Sequence, residues 1–183
     1  MKKFELTENY KMCFGHKLFQ IRALVTINGL VRAGETGGYI EKEENLSQFG
    51  NSWVSGNACV YGNARVVGNS RVTENARVSG NAFVAGNSRV TENAYVSGNA
   101  IVAGNSRVYG NAHVYGGAFV TENSRVTGNA RVYGNALVYE NALITGDSSV
   151  SGDAEVFGNA CVSCGESVSG DAMVSGDKFV SDN

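Results

Sequence analysis

At 183 residues the chain has room for one domain of ordinary size with an appendage, and not for two equal domains. Hydrophobic residues at 43% against 17% charged exclude a disordered polyelectrolyte, and a net charge of −2 excludes any global attraction to nucleic acid or membrane, so such a partner would have to meet a local patch. The chain has 24 glycines and no proline, so its turns rely on residues that accept positive φ.

Residues 1–45 carry no long repeat. The opening MKKFELTENYKM has two lysines and no apolar stretch behind them. Nowhere does an apolar run approach the ~18 residues that span a bilayer, so the expectation is a cytoplasmic protein that is not exported, with no membrane partner. Alternation predicts short strands at Lys17–Val25, Leu30–Arg32 and Gly38–Ile40, joined by Asn-Gly and Gly-Gly turns. The acidic run Glu41-Lys42-Glu43-Glu44 reads as a solvated linker. The expected division is a β capping module over 1–45 and a repeat domain over 46–183.

From Val54 an aliphatic residue recurs every sixth position through Val180, and Ile144 is the only non-valine. Ala or Ser stands two residues before nearly every one, preceded by Gly-Asn, Glu-Asn or Gly-Asp, so the unit is G-N-A-x-V-x. In A-x-V the first and third side chains share a face, as in a strand, and the following x-G-N turns a corner. A corner every six residues fits a chain coiling about an axis. The segment NSRV recurs at Asn69–Val72, Asn87–Val90, Asn105–Val108 and Asn123–Val126, always 18 residues apart, which is three hexads. The prediction is an all-β triangular solenoid of about seven coils stacked ~4.8 Å apart, with Ala, Ser and Val inside.

Toward the C-terminus Glu166 and Lys178 take slots where an inward Ala is expected, and Ser181-Asp182-Asn183 forms a polar tail. Charged residues at an end coil discourage edge-to-edge stacking. The four cysteines, Cys13, Cys59, Cys161 and Cys164, read as reduced thiols. Cys59 lies more than five coils from Cys161, roughly 27 Å along the axis, so a four-cysteine metal site within one molecule is excluded. No cofactor is expected.

The unit Val60-Tyr61-Gly62-Asn63-Ala64-Arg65 resembles the consensus of the hexapeptide-repeat, left-handed parallel β-helix superfamily, over about residues 50–180. The stretch IRALVTINGLVRAGETGGYIEKEENLSQFGNSWV resembles the opening of YdcK-like proteins, many from bacteria and their prophages. The resemblance implies a left-handed coil and brings no established activity. The superfamily also holds trimeric acyltransferases with a catalytic histidine, a loop that breaks the coil and often a C-terminal helix. Here residues 54–180 carry no insertion, and the histidines are His16 and His113 alone.

The x of A-x-V points outward, so reading it every 18 residues gives one ladder per face. The first runs Trp53, Arg71, Arg89, Arg107, Arg125, Leu143, Cys161, Phe179. The second runs Cys59, Arg77, Tyr95, His113, Arg131, Ser149, Ser167. The third runs Arg65, Phe83, Ile101, Phe119, Leu137, Glu155, Met173. On the third face Phe83, Ile101, Phe119 and Leu137, flanked by Tyr139, form an apolar stripe. Three readings stand: self-association as a homodimer or homotrimer, cover by the N-terminal module, or contact with a foreign partner. The arginines of the first face suit phosphates or carboxylates, unless the corner residues Glu74, Glu92, Glu122 and Glu140 merely neutralise them. On the second face Arg77, Tyr95, His113 and Arg131 are residue types favoured at interfaces.

The expectation is therefore a non-enzymatic interaction solenoid that binds itself and a protein or ribonucleoprotein partner. If the prophage resemblance extends to function, that is a phage-encoded inhibitor of a host defence or nucleic-acid-handling complex, such as a CRISPR effector. The alternative is a degenerate hexapeptide acyltransferase using His113.

Overall fold

A computed structural model describes residues 2–27 and 29–180. Asn28 of the expected Asn-Gly turn and the Ser181-Asp182-Asn183 tail lie outside the described residues. Three longer strands come first: β1 (Phe4–Cys13), β2 (His16–Ala23) and β3 (Thr36–Ile40). Two-residue strands then follow every six residues, β4 (Trp53–Val54), β5 (Cys59–Val60) and so on to β25 (Phe179–Val180). They stack in three parallel sheets in which each residue pairs with the one eighteen further on, as Arg89 with Arg107, Tyr95 with His113 and Ile101 with Phe119. The solenoid makes about eight turns, one more than the hexads alone indicate, because the head contributes to the first coil.

Inside the prism the valines and small residues from Val54 to Val162 are fully buried. Valine at the third place of each side and alanine or serine at the first fill a triangular section whose sides are one short strand long. Most inward serines satisfy their hydroxyls locally, as Ser70 Oγ donates to Val67 O at 2.6 Å and Ser88 Oγ to Ala85 O at 2.7 Å, whereas the buried Ser106 hydroxyl has no partner among the described residues. Corners take the left-handed conformation. Glycine holds most of them, but Glu74, Glu92, Glu122 and Glu140 adopt it too, at φ of 62, 62, 59 and 57°. Beside them the corner asparagines stack, most side-chain amides donating to the next coil, as Asn87 to Asn105 at 2.9 Å, with a break at Gly117. All three corner columns reach an acceptor-only carboxylate, through Asn129 to Asp147 at 2.7 Å, Asn135 to Asp153 at 3.0 Å and Asn159 to Asp177 at 3.0 Å.

Coil-to-coil bonds at strand starts and corners run one way: Arg65 N–H donates to Ala82 O at 2.9 Å and Asn63 N–H to Gly80 O at 2.7 Å. A first coil would therefore leave its carbonyls unpaired. The head supplies the donors. Tyr39 N–H bonds Ala58 O at 2.9 Å, Glu41 N–H bonds Val60 O at 3.0 Å and Ser47 N–H bonds Val66 O at 2.9 Å. Asn45, buried at the end of a short 3-10 turn over Glu43–Asn45, reaches Gly62 O at 3.1 Å and Ala64 O at 2.8 Å with its amide. The Lys3 ammonium covers Ser52 O at 2.8 Å.

The head differs from the sequence expectation in three places. Residues 4–13 form a ten-residue strand that the alternation reading passed over. Leu30–Arg32 is not a strand; only the bridge between Ile27 and Val31 forms there. Gly37 and Gly38 are not a turn but the buried middle of β3. A Cβ on Gly37 would lie 2.5 Å from Val54 O, and one on Gly38 2.8 Å from the Val54 side chain. The glycines let β3 lie close against β4.

Candidate interaction faces

Sheet order decides where the head goes. β1 and β2 pair antiparallel, β2 pairs with β3, and β3 pairs parallel with β5, so the hairpin continues the sheet of the second face. Its apolar residues Phe4, Ile21, Ala23, Ile27 and Val31 join the solenoid core. Its far end turns across the outside of the second face. The Lys11 ammonium lies 4.0 Å from the Tyr39 ring centroid, and the Phe14 ring 4.9 Å from the Arg77 guanidinium. His16 meets Tyr61 with ring centroids 4.8 Å apart and bonds Glu41 through Nδ1 at 2.8 Å. Burial opposes ionisation of Glu41, but the bonds from His16 and from Gly62 N–H, at 2.6 Å, hold its pKa below the usual carboxylate value. The first rung of the face is thereby covered, and Cys59 and Tyr61 are buried.

Beyond the hairpin the second face is open. Tyr95 and His113 meet edge to face with centroids 5.8 Å apart, and Tyr115 stacks on Tyr133 at 5.0 Å, within 2° of parallel. Tyr95 Oη pairs with Ser79 Oγ at 2.9 Å. Burial and then the charge of Arg131 lower the His113 pKa, so this imidazole is neutral near pH 7. Its in-register neighbours are Tyr95 and Arg131, and an arginine cannot accept a proton to orient a general base.

On the first face Arg71, Arg89, Arg107 and Arg125 stand in consecutive register, the last three exposed. The expected relief by corner glutamates takes another form. Among the described residues the ion pairs are Lys2–Glu43, His16–Glu41 and Arg22–Glu5, and none involves a ladder arginine. Glu92 accepts Gly110 N–H at 2.9 Å and Glu140 accepts Gly158 N–H at 2.6 Å, so these carboxylates finish backbone corners. Arg89, Arg107 and Arg125 remain solvent-exposed, with Arg71 half-buried at the start of the ladder.

The third face carries Phe83, Ile101, Phe119 and Leu137 in unbroken register. Phe119 is 41% exposed and the other three are half-buried by their neighbours. Tyr139 and Phe157 stack beside them at 5.0 Å, and Tyr139 Oη donates to Glu155 at 3.1 Å. The head does not lie over this stripe, which removes the covering alternative. It does add one residue that the ladder reading missed. Phe49 is 85% exposed and stands 18 residues before Val67, at the head of the column that continues through Ala85 and Ala103 to Tyr139 and Phe157. Extending the 18-residue count back past Val54 would have found it.

A family model, the YdcK β-solenoid repeat, matches residues 124–140 and, overlapping, 130–152. That match falls on coils whose parallel 18-residue register is described above. The chain is a parallel β-solenoid, and its coils over 124–152 are similar to the YdcK β-solenoid repeat. No curated protein matches it. In this solenoid no described helix is long and apolar enough to cross a membrane, and no three His, Cys, Asp or Glu among the described residues converge as metal ligands. What the fold assembles is three dissimilar outer surfaces: one apolar, one lined with arginine, and one of tyrosine, histidine and arginine partly overlaid by the head.

Proposed function

We propose that this solenoid is a non-enzymatic interaction scaffold that associates with a second copy through its third face and offers the arginine ladder to an anionic macromolecular partner. The observation that carries the reading is the in-register stripe Phe83–Ile101–Phe119–Leu137, left uncovered by the head. Stacking the coils requires only the inward Ala, Ser and Val, so the outward apolar row is free to serve an interface. A flat repetitive face is also self-complementary under two-fold symmetry. The partner that suits a line of four arginines, three of them exposed, is a phosphate-rich surface such as a ribonucleoprotein. In its most specific form the scaffold is an inhibitor that occupies a host defence or nucleic-acid-handling complex.

Light scattering on Phe83→Asp/Phe119→Asp tests the first half: mass falls to that of a monomer while the far-ultraviolet spectrum is unchanged. An unchanged mass overturns it. For the second half, Arg89→Glu/Arg107→Glu abolishes capture of a ribonucleoprotein from host lysate with little change in thermal stability. Acetyl-CoA retention that disappears in His113→Ala would instead favour an acyltransferase.

A further inference from the structure

The hairpin end crosses the second face rung by rung. Lys11 lies on Tyr39, Cys13 packs against the cluster of Leu18, Cys59 and Tyr61, and Phe14 lies on Arg77. Tyr39, Cys59 and Arg77 are successive rungs of one ladder, and Cys13, between Lys11 and Phe14, packs on the cluster that holds Cys59. The Lys11 ammonium is bonded to Asn57 O at 2.8 Å, the same carbonyl that Cys59 Sγ approaches. Cys59 is buried with its Sγ 3.4 Å from the carbonyl of Asn57, whereas Cys13 is half-exposed. One accessible and one sheltered thiol, brought together from residues far apart in the chain, are the arrangement of an attacking and a resolving cysteine.

We infer that Cys13 and Cys59 form a redox modification site that takes a low-molecular-weight disulfide of the glutathione class and latches the hairpin to the solenoid. The Cys13 thiolate attacks one sulfur of the small disulfide, forming a mixed disulfide and releasing one thiolate, which takes up the proton Cys13 lost. The Cys59 thiolate then attacks Cys13 Sγ and displaces the second small thiolate, which is protonated in turn. Two protein thiols are oxidised to one disulfide and the reagent is reduced to two thiols. In the latched state the hairpin end is fixed over Tyr39, Cys59 and Arg77. In the reduced state it is held only by packing and by the contacts of Lys11 and Phe14, and its release exposes the first rungs of a face that continues into Tyr95 and His113.

The test incubates the reduced full chain with oxidised glutathione, blocks remaining thiols and maps peptides without reduction. The expected product is a Cys13–Cys59 linked pair two hydrogens lighter than its reduced peptides, lost in Cys13→Ser. Amide exchange over the hairpin end slows on oxidation in the parent chain and not in that variant. Cys13 is the position to change because Cys59→Ser would place a hydroxyl in a buried site. Glutathione remaining on Cys13 without transfer, a link confined to Cys161–Cys164, or no reaction would each overturn the inference.

Discussion

The two ends of the solenoid solve the same problem differently. At the N-terminal end the head meets the first coil with strand β3, the amide of Asn45 and the ammonium of Lys3, and Phe4 and Ile21 are completely buried against the core. At the other end the last described coil has nothing described stacked on it: Ala172 is exposed, Met173 is 61% exposed and Phe179 76%. In a stack where each coil touches only its neighbours, stability is close to a sum of local terms. Damage should therefore cost most where the head meets the first coil and least at the far end.

The largest effect is expected from Gly37→Ala. Its Cβ would lie 2.5 Å from Val54 O, 2.7 Å from Ile21 and 2.8 Å from Trp53, so backbone and core would both have to move. Overpacking of that kind costs about 3 kcal/mol. A fall in the denaturant midpoint, with proteolysis starting in residues 2–50, would bear this out; near-normal stability would mean that the junction is soft. Next comes Asn45→Ala, which removes two bonds to first-coil carbonyls and the bond from Lys42 N–H to Asn45 Oδ1 at 2.9 Å. Leaving buried Ala64 O without its donor costs about 2 kcal/mol. Asn45→Asp tests the direction of the bond, since a carboxylate can accept from Lys42 N–H and cannot donate to Ala64 O.

Lys3 makes the N-terminal end pH-dependent. Burial lowers its pKa from 10.5 to about 8. Below pH 8 both folded and unfolded states hold the proton, and the cost of burying the charge is fully present. Between pH 8 and 10.5 the unfolded chain binds the proton that the folded chain has released, so stability rises with pH. The gain should be roughly 1.5 kcal/mol by pH 9.5, and Lys3→Met should lack it. The scan must stop near pH 10, because burial raises the Tyr61 pKa from 10 to about 12. Above pH 10 the unfolded tyrosine loses a proton that the folded one keeps, and stability falls. Parallel pH curves for parent and variant would show that Lys3 is not the group responsible.

These positions also mark where sequence could be read and where it could not. The coil register, the inward column and the three outward ladders follow from spacings of six and eighteen, because every hexad meets the same environment one coil on. The head has no such internal copy. Gly37-Gly38 looks like a turn in isolation and is a strand under close approach, a fact set by Val54 and Trp53, distant neighbours in the fold. Lys3 looks like one of two opening lysines, and only the missing coil beneath Ser52 gives it a role. Likewise the corner glutamates read as partners for arginine until the free N–H groups of Gly110 and Gly158 are seen beside Glu92 and Glu140. Of the interaction faces, the order of residues was legible throughout. What the head leaves open was not, because that depends on β3 choosing β5.

The smallest effect belongs at the far end, and glycine measures it cleanly. Gly86 and Gly176 share the left-handed corner, at φ of 69 and 73°. Alanine at either pays about 1 kcal/mol for that conformation. At Gly86 the new Cβ would also sit 2.6 Å from Gly104 O in the coil above, whereas at Gly176 it meets nothing within 4 Å. Gly86→Ala should therefore lower stability by about 1 kcal/mol more than Gly176→Ala, the difference reporting the contact between coils and not the turn. Glu74, Glu92, Glu122 and Glu140 show that a side chain at this corner is compatible with the stack where the neighbouring coil gives way. Equal losses at the two sites would mean that the middle of the prism gives as readily as its end, and would remove the distinction between them.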